Sequence, residues 1–300
     1  MRIGIVGCNG VGAAHMVAAA KLGYEIVALM DPENIACLQI IDPDHSVINY
    51  HDEEGRLNYV PKLVDSFSEM KKESPDLIII ASPTDTHLEY LDKLDDFNNF
   101  VLVESPYGKS KSLKLKKVFV GYQWVHNPTI AANYITSIYY GSNSAPEHYD
   151  VENIVWDLAS QALASVLKLK INQLTSADVK VQSYLNDVLE VDLVFDYSDI
   201  GKDYKQKVKM QIGYKSPSST SSGMAISGDH DFTAILTDMD LFKNQLRAIE
   251  NAINSNLYGP LVTTKEACIL NQLCETIITS YVTGTKVTWT VGDYVFVNSY

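Results

Sequence analysis

The chain has 300 residues, 46% of them hydrophobic and 20% charged, with a formal net charge of −13. That length points to two domains, the composition is globular rather than disordered, and the acidity argues against a nucleic-acid or anionic-membrane partner. A phosphorylated small ligand is not excluded, because backbone amides can bind one inside an acidic protein.

Residues 2–6 (RIGIV) read as a short buried strand, and GCNGVGAAH follows. From Val11 to Leu22 apolar residues recur at helical spacing, and Gly23 is the stop. YEIVALM, 24–30, predicts a second strand ending at Asp31. In PKLVDSFSEMKK, 61–72, Leu63, Phe67 and Met70 share one helical face, and Pro61 suits a helix start. DLIIIAS, 76–82, is the apolar strand expected inside a parallel sheet. PTDTHLEYLDKL, 83–94, predicts a helix, and FVLVES, 100–105, the next strand. Strands alternating with helices in this way predict a doubly wound α/β domain of the Rossmann type, placed at 1–119.

The pattern then changes. A helix is predicted at 157–169, followed by alternating runs: ADVKVQSYL, VLEVDLVFDY, KQKVKMQIGYK and GMAISG. These predict antiparallel strands joined by hairpins, with a polar loop at SPSSTSS. Two helices near 238–254 and 263–283 complete an α+β domain, placed at 120–300, for substrate binding and oligomerisation. The alternation in VLEVDLVFDY and KQKVKMQIGYK predicts one broad, partly apolar sheet face through which the chain pairs.

Gly7-Cys8-Asn9-Gly10-Val11-Gly12 lies between the first strand and the first helix. Gly7 allows the tight turn, Gly12 lets helix and strand approach, and amides at the helix start face a pyrophosphate. Asn9 replaces the middle glycine of G-x-G-x-x-G; Asn tolerates left-handed angles better than most residues, so the turn is expected to survive. Cys8 reads as a small residue that fits the turn. Asp31, 19 residues after Gly12, is placed to accept hydrogen bonds from a ribose diol and to repel a 2′-phosphate. The cofactor implied is NAD, with NADP left open.

Further along, IIIASPTDTHLEYL, VLVESP, GYQWVHNP and DLASQ follow the glycine turn in order, and the closing run LFKNQLRAIENAI to VTGTKV continues it. In this the chain resembles the glucose–fructose oxidoreductase / inositol dehydrogenase / MocA (Gfo/Idh/MocA) family over nearly its whole length. The resemblance implies an NAD(P)-dependent oxidoreductase acting on a sugar, an inositol, a sugar nucleotide or a related small molecule. It implies that Ser82, Pro83, Thr84 and His87, in the segment resembling T-P-x-x-x-H, pass the ribose and nicotinamide of the cofactor. Glu104 stands at the glutamate of E-K-P, near the nicotinamide ribose, and Asp157 at the aspartate of D-x-x-x-H.

Two positions depart from the family. Ser105 stands where its lysine is expected and Gln161 where its histidine is expected. Alcohol oxidation needs a group that takes the hydroxyl proton near the working pH, and neither Ser nor Gln does so. Asp157 then serves as a binding group, a residual base or a helix N-cap, with Lys109 a substitute cation and Tyr107 or Tyr122 a proton source. The segments 107–120 and 128–157 are also short for the family, so the helix expected after NP is lost or reduced. Two alternatives therefore stand beside the enzyme: a catalytically inactive NAD(P)-binding sensor or partner subunit, and a reductase resembling the biliverdin reductases.

The remaining residues are read more plainly. Cys8, Cys37, Cys268 and Cys274 form no C-x-x-C pair, which points away from metal clusters and disulfide ladders and toward a reducing compartment. No apolar run reaches the ~18 residues of a membrane span, and no signal-peptide layout opens the chain, so a cytoplasmic protein is expected. His45, His51, His126, His148 and His230 lack metal-ligand spacing and read as surface or loop residues. Of Tyr122, Trp124, Tyr134, Tyr139, Tyr140 and Tyr149, most are assigned to a subunit interface, with Tyr122 and Trp124 at the pocket. A homo-oligomer, dimer or tetramer, is expected.

Overall fold

The computed structural model describes residues 1–31, 61–107, 117–132, 135–142, 150–168, 170–199, 201–214, 222–228, 233–237, 240–256 and 258–291. They divide into two compact units, and the segment 242–264 belongs with the first of them.

Six strands of the first unit form a parallel sheet: β1 (Arg2–Val6), β2 (Glu25–Met30), β3 (Lys62–Leu63), β4 (Leu77–Ile80), β5 (Phe100–Glu104) and β6 (Val118–Gly121). Their order is β6-β5-β4-β1-β2-β3, and Val262–Thr263 adds an antiparallel edge on β6. The continuous apolar runs of β1, β4 and β5 suit strands covered on both faces. Ile3, Ile5, Ile79 and Leu102 share a core with Met16 of α1 (Val11–Lys21) and with Leu246, Ile249 and Ala252 of the helix Leu241–Ser255. Each such side chain, taken fully out of water, contributes about 1.5–3 kcal/mol. The chain leaves β1 toward β2 on one side and reaches β4 on the other. The order therefore reverses between β1 and β4, and the crevice outside their carboxyl ends is where such sheets bind ligands.

Three predicted elements differ from this structure. The run 61–72 is not one helix: Lys62–Leu63 pairs with β2, and the helix Phe67–Lys72 starts only where the Ser66 hydroxyl accepts from the Glu69 N–H. A side-chain cap thus outweighs the apolar spacing that placed the start at Pro61. The segment 83–94 is a 3₁₀ turn (Thr84–Thr86) and then a short helix (His87–Asp92). The segment 242–264, expected in the second domain, lies in the first unit because its apolar residues pack on the parallel sheet.

In the second unit β7 (Ile135–Ser142), β8 (Leu174–Leu185), β9 (Val188–Asp199), β10 (Lys202–Gly213), β11 (Ser222–Gly228) and β12 (Thr233–Thr237) join Val287–Thr290 in one sheet. Its order is β12-β11-β7-β10-β9-β8 and then Val287–Thr290, antiparallel except for the β7–β10 pair. Asn186 and Asp187, both left-handed, make the two-residue hairpin between β8 and β9. On β9, Leu189, Val191, Leu193, Phe195 and Tyr197 are buried on one face. The other face carries Glu190, Asp192, Val194 and Asp196, opposite Gln211, Lys209, Lys207 and Lys205 of β10. On these two strands the outer face is thus mostly charged, while in register beyond β10 it carries Tyr139, Ala225 and the exposed Ile235. The helical segment of this unit begins at Val151 rather than residue 157 and runs to Leu167, with a π-turn at Val155–Ala159. Pro128–Ala132 is the reduced helix after NP.

Candidate cofactor site

The glycine turn closes around the crevice. Gly7 has φ 82°, and a Cβ there would lie 2.7 Å from the Ala81 carbonyl oxygen, so the loops after β1 and β4 meet at this point. A Cβ on Gly12 would lie 1.9 Å from the Gly7 carbonyl oxygen. No side chain larger than hydrogen fits at either position. Gly10, with φ 51°, begins α1, and no side chain caps that helix end or places an acid in its first turn. Asn9 is not left-handed, which corrects the reason given for its tolerance: the positive φ values fall on Gly7 and Gly10 instead. Val11 is solvent-exposed at the helix start. Cys8 is disulfide-bonded rather than a free small residue.

Asp31, at the end of β2, accepts the Cys8 backbone N–H at 2.8 Å. The carboxylate that would receive a ribose diol also holds the turn. Beside it a cavity of about 490 Å³ is lined by Asp31, Val64, Ser66, Phe67 and Tyr90, with Lys71 and Lys93 at its rim. The Phe67 and Tyr90 rings meet edge to face at 5.3 Å and make an aromatic wall of this cavity. Lys71 pairs with Asp96 and Lys93 with Glu89, so neither cation is uncompensated. The sequence reading missed this cavity, whose lining comes from three separate segments.

On the other side of the crevice Glu104 ends β5. Its carboxylate Oε1 lies 2.6 Å from His15 Nε2, inside α1. His15 is fully buried, and the Glu104 side chain keeps 8% exposure. A Cβ on Gly121 would lie 2.4 Å from Oε1, so that glycine makes room for the carboxylate. His15 was not among the expected site residues, although it follows the turn directly.

Ser82, Pro83 and Thr84 lie in the loop after β4, with Pro83 and Thr84 exposed and the Ser82 hydroxyl 2.7 Å from that of Thr86. His87 is buried. Its Nδ1 faces the Pro106 carbonyl at 3.2 Å and its Nε2 the Ser82 carbonyl at 2.8 Å. Burial pulls its pKa below the ordinary value, against those two carbonyls. A neutral ring has one N–H and donates to one of these carbonyls at a time, the Ser82 oxygen being the nearer, so His87 packs between two loops of the crevice. Ser105 is half-buried and precedes Pro106 through a cis peptide.

The candidates for proton handling in the second unit are arranged differently from expectation. Asp157 is no N-cap: Asp150 caps the helix through a capping box with Asn153, and Asp157 lies within the π-turn. It is exposed and accepts the Tyr214 hydroxyl at 3.0 Å. Partial desolvation raises its pKa above the ordinary value, and that hydrogen bond offsets part of the rise. Gln161 is buried and donates to Gln123 Oε1 at 3.0 Å. The two side chains therefore serve different partners.

Tyr122 is fully buried, its hydroxyl has no partner, and burial with Cys274 and Cys268 nearby raises its pKa well above the usual value. That withdraws Tyr122 as a proton donor to a substrate. Trp124, also fully buried, packs edge-on to Tyr140 at 5.6 Å, in the core rather than at a pocket. His126 is buried, not a surface residue. Lys109, His45, His51, His148, His230, Tyr134 and Tyr149 lie outside the described residues. Among the described residues no group of His, Cys, Asp and Glu is arranged to hold a metal, and no helix is long and apolar enough to cross a membrane.

Comparison with known proteins agrees with this geometry. Residues 1–113 match the Gfo/Idh/MocA model, described as an oxidoreductase family with an NAD-binding Rossmann fold. No curated protein matches the sequence. Among solved structures, the chain is similar to a myo-inositol dehydrogenase from Lactobacillus casei in complex with NAD(H) and myo-inositol. The TM-score is 0.71 at 12% identity, over 98% of each chain. A myo-inositol dehydrogenase from Corynebacterium glutamicum gives 0.68 at 15%, over 97% of this chain and 99% of that one. A UDP-N-acetylglucosamine 3-dehydrogenase from Acidithiobacillus ferrooxidans gives 0.66 at 13%, over 93% and 97%. Residues 1–113 are therefore similar to the NAD-binding domain of that oxidoreductase family, and the whole chain shares its fold with these inositol dehydrogenases.

Proposed function

We propose that the protein is an NAD(H)-dependent oxidoreductase that transfers hydride to or from a sugar-like small molecule, a polyol or a sugar nucleotide. The observation that carries this reading is the glycine turn at the switch point, with Gly7 and Gly12 sterically obligatory and the Cys8 amide held by Asp31. The residues fit a dinucleotide: the α1 terminus suits the pyrophosphate, Asp31 the adenosine ribose, and the Phe67–Tyr90 wall the adenine. When bound, the nicotinamide supplies a carbon that accepts or releases hydride. NAD is preferred over NADP in this reading, because Asp31 lies at the ribose position and both nearby lysines are already paired.

Acid–base work falls to other groups than in the family pattern. Ser105 and Gln161 neither take up nor release a proton near neutral pH. Asp157, exposed and with its pKa raised, has the chemistry to accept a hydroxyl proton. A cofactor-binding domain that includes 242–264, a substrate-binding domain made mostly of the other residues after 121, and self-association are part of the proposal; a contact through the charged β9–β10 face would weaken with salt.

The test is turnover. Reduction of NAD⁺ is followed with myo-inositol and with UDP-N-acetylglucosamine as probes, in wild type and Asp157→Asn. Turnover that falls about a hundredfold or more in the variant supports the reading; turnover unaffected by it removes Asp157 from the chemistry. A second reading, a cofactor-binding protein without turnover, is favoured by the amide pair Gln161–Gln123, which offers no proton acceptor. Saturable NADH binding with no turnover on either probe would support it.

A further inference from the structure

We propose that His15 is a positioning residue for the nicotinamide half of the cofactor, acting through Glu104. This rests on the dinucleotide reading of the crevice and extends it to a residue that reading does not use.

Four observations support it. His15 Nε2 and Glu104 Oε1 are 2.6 Å apart, joining the helix that starts at the glycine turn to the end of β5. His15 has no exposure, while the Glu104 side chain keeps 8%, so the carboxylate and not the imidazole reaches solvent. The ring packs edge-on against Phe242 at 4.8 Å, and Nδ1 has no hydrogen-bond partner among the described residues. A neutral ring with its proton on Nε2 donates to Glu104 and leaves no buried N–H orphaned at Nδ1; the other tautomer leaves one. The geometry thus assigns His15 as donor and Glu104 as acceptor. Finally, Gly121 supplies the space in which the carboxylate sits.

Position gives this pair its meaning. Asp31 ends β2 and Glu104 ends β5, on opposite sides of the β1–β4 switch point. If Asp31 takes the adenosine half, the extended cofactor brings its nicotinamide half to the β5 side. A buried carboxylate held only by an imidazole is poor cement for a fold, because desolvation offsets most of the attraction. Fixing one carboxylate oxygen leaves the other to accept from a ribose hydroxyl or a carboxamide N–H.

The test compares NADH with ADP, which carries only the adenosine half, by calorimetric titration of the full chain. His15→Leu should weaken NADH about tenfold or more, the value of a hydrogen bond to a charged group, and leave ADP within about twofold. His15→Gln, whose amide still donates to Glu104, should recover most of the NADH affinity. Glu104→Gln should weaken NADH alone, and adding His15→Leu to it should cost little more, since one acts through the other. Equal weakening of NADH and ADP by His15→Leu, or no weakening at all, overturns the proposal. If His15→Leu does not fold, Glu104→Gln decides: unchanged NADH affinity in that variant overturns it. Wild-type protein that binds neither NADH nor ADP overturns the dinucleotide reading itself, a different result from any of these.

Discussion

Glu104 occupies the space that any side chain at residue 121 would need: a Cβ on Gly121 would lie 2.4 Å from Oε1 and 2.7 Å from Oε2. Because His15 holds that carboxylate, it cannot simply swing aside. Gly121→Ala should therefore displace Glu104 and weaken NADH about tenfold or more, as loss of a charged hydrogen bond does. The same change made on Glu104→Ala should cost almost nothing, because the clash is gone. An equal penalty in both backgrounds would place the strain in the backbone instead.

Asp31 has two roles, and two substitutions separate them. Asp31→Asn keeps an oxygen for the Cys8 N–H and removes the charge, so affinity for NADPH relative to NADH should rise at least about tenfold. Asp31→Ala loses the turn contact as well and should weaken both cofactors. Paired titrations read this directly. An unchanged ratio in Asp31→Asn would show that the 2′ position lies elsewhere.

His126 sets a pH dependence. Burial, with Lys168 nearby, pushes its pKa from the ordinary 6.5 to about 3. Between those values the unfolded chain binds a proton that the folded chain refuses, so stability falls as pH drops from about 6.5 toward 3 and then levels for this group. His87, also lowered, acts in the same direction. His126→Leu should flatten the acid side of the melting-temperature profile, whatever its effect at neutral pH. Parallel profiles for wild type and variant would mean that His126 takes up its proton in the folded state.

Gln245, on the helix Leu241–Ser255, is buried with neither amide atom hydrogen-bonded. An unsatisfied buried polar group costs about 1–3 kcal/mol. Gln245→Met, of similar shape, should raise the urea midpoint by about 1 kcal/mol of stability at constant slope. A lower midpoint would reveal a partner for the amide, such as a bound water.

Much of the first unit was legible in the sequence because its signals are local. RIGIV, DLIIIAS and FVLVES are apolar runs that only a doubly covered strand explains, and Gly7, Gly12 and Asp31 announce a turn by spacing alone. What escaped was joined over distance. His15 and Glu104 are 89 residues apart, and nothing near either one points to the other. The apolar stripe of the helix Leu241–Ser255 shows that it is covered, not which sheet covers it. The alternation in β9 and β10 correctly marked a half-buried sheet, yet its outer face follows from which charges come into register, Asp192 with Lys209 and Asp196 with Lys205. Asp157 and Gln161 are four residues apart, but their hydrogen-bond partners, Tyr214 and Gln123, come from distant segments that nothing near either residue announces.

The account stands most directly on one measurement, calorimetric titration of the full chain with NADH, run beside Gly12→Ala. A Cβ at residue 12 would lie 1.9 Å from the Gly7 carbonyl oxygen, so the variant cannot keep the turn. The account predicts saturable binding with one site per chain in the wild type and its loss in Gly12→Ala. Wild-type protein that binds neither NADH nor NADPH at roughly millimolar concentration, the upper end of useful affinities, would contradict it.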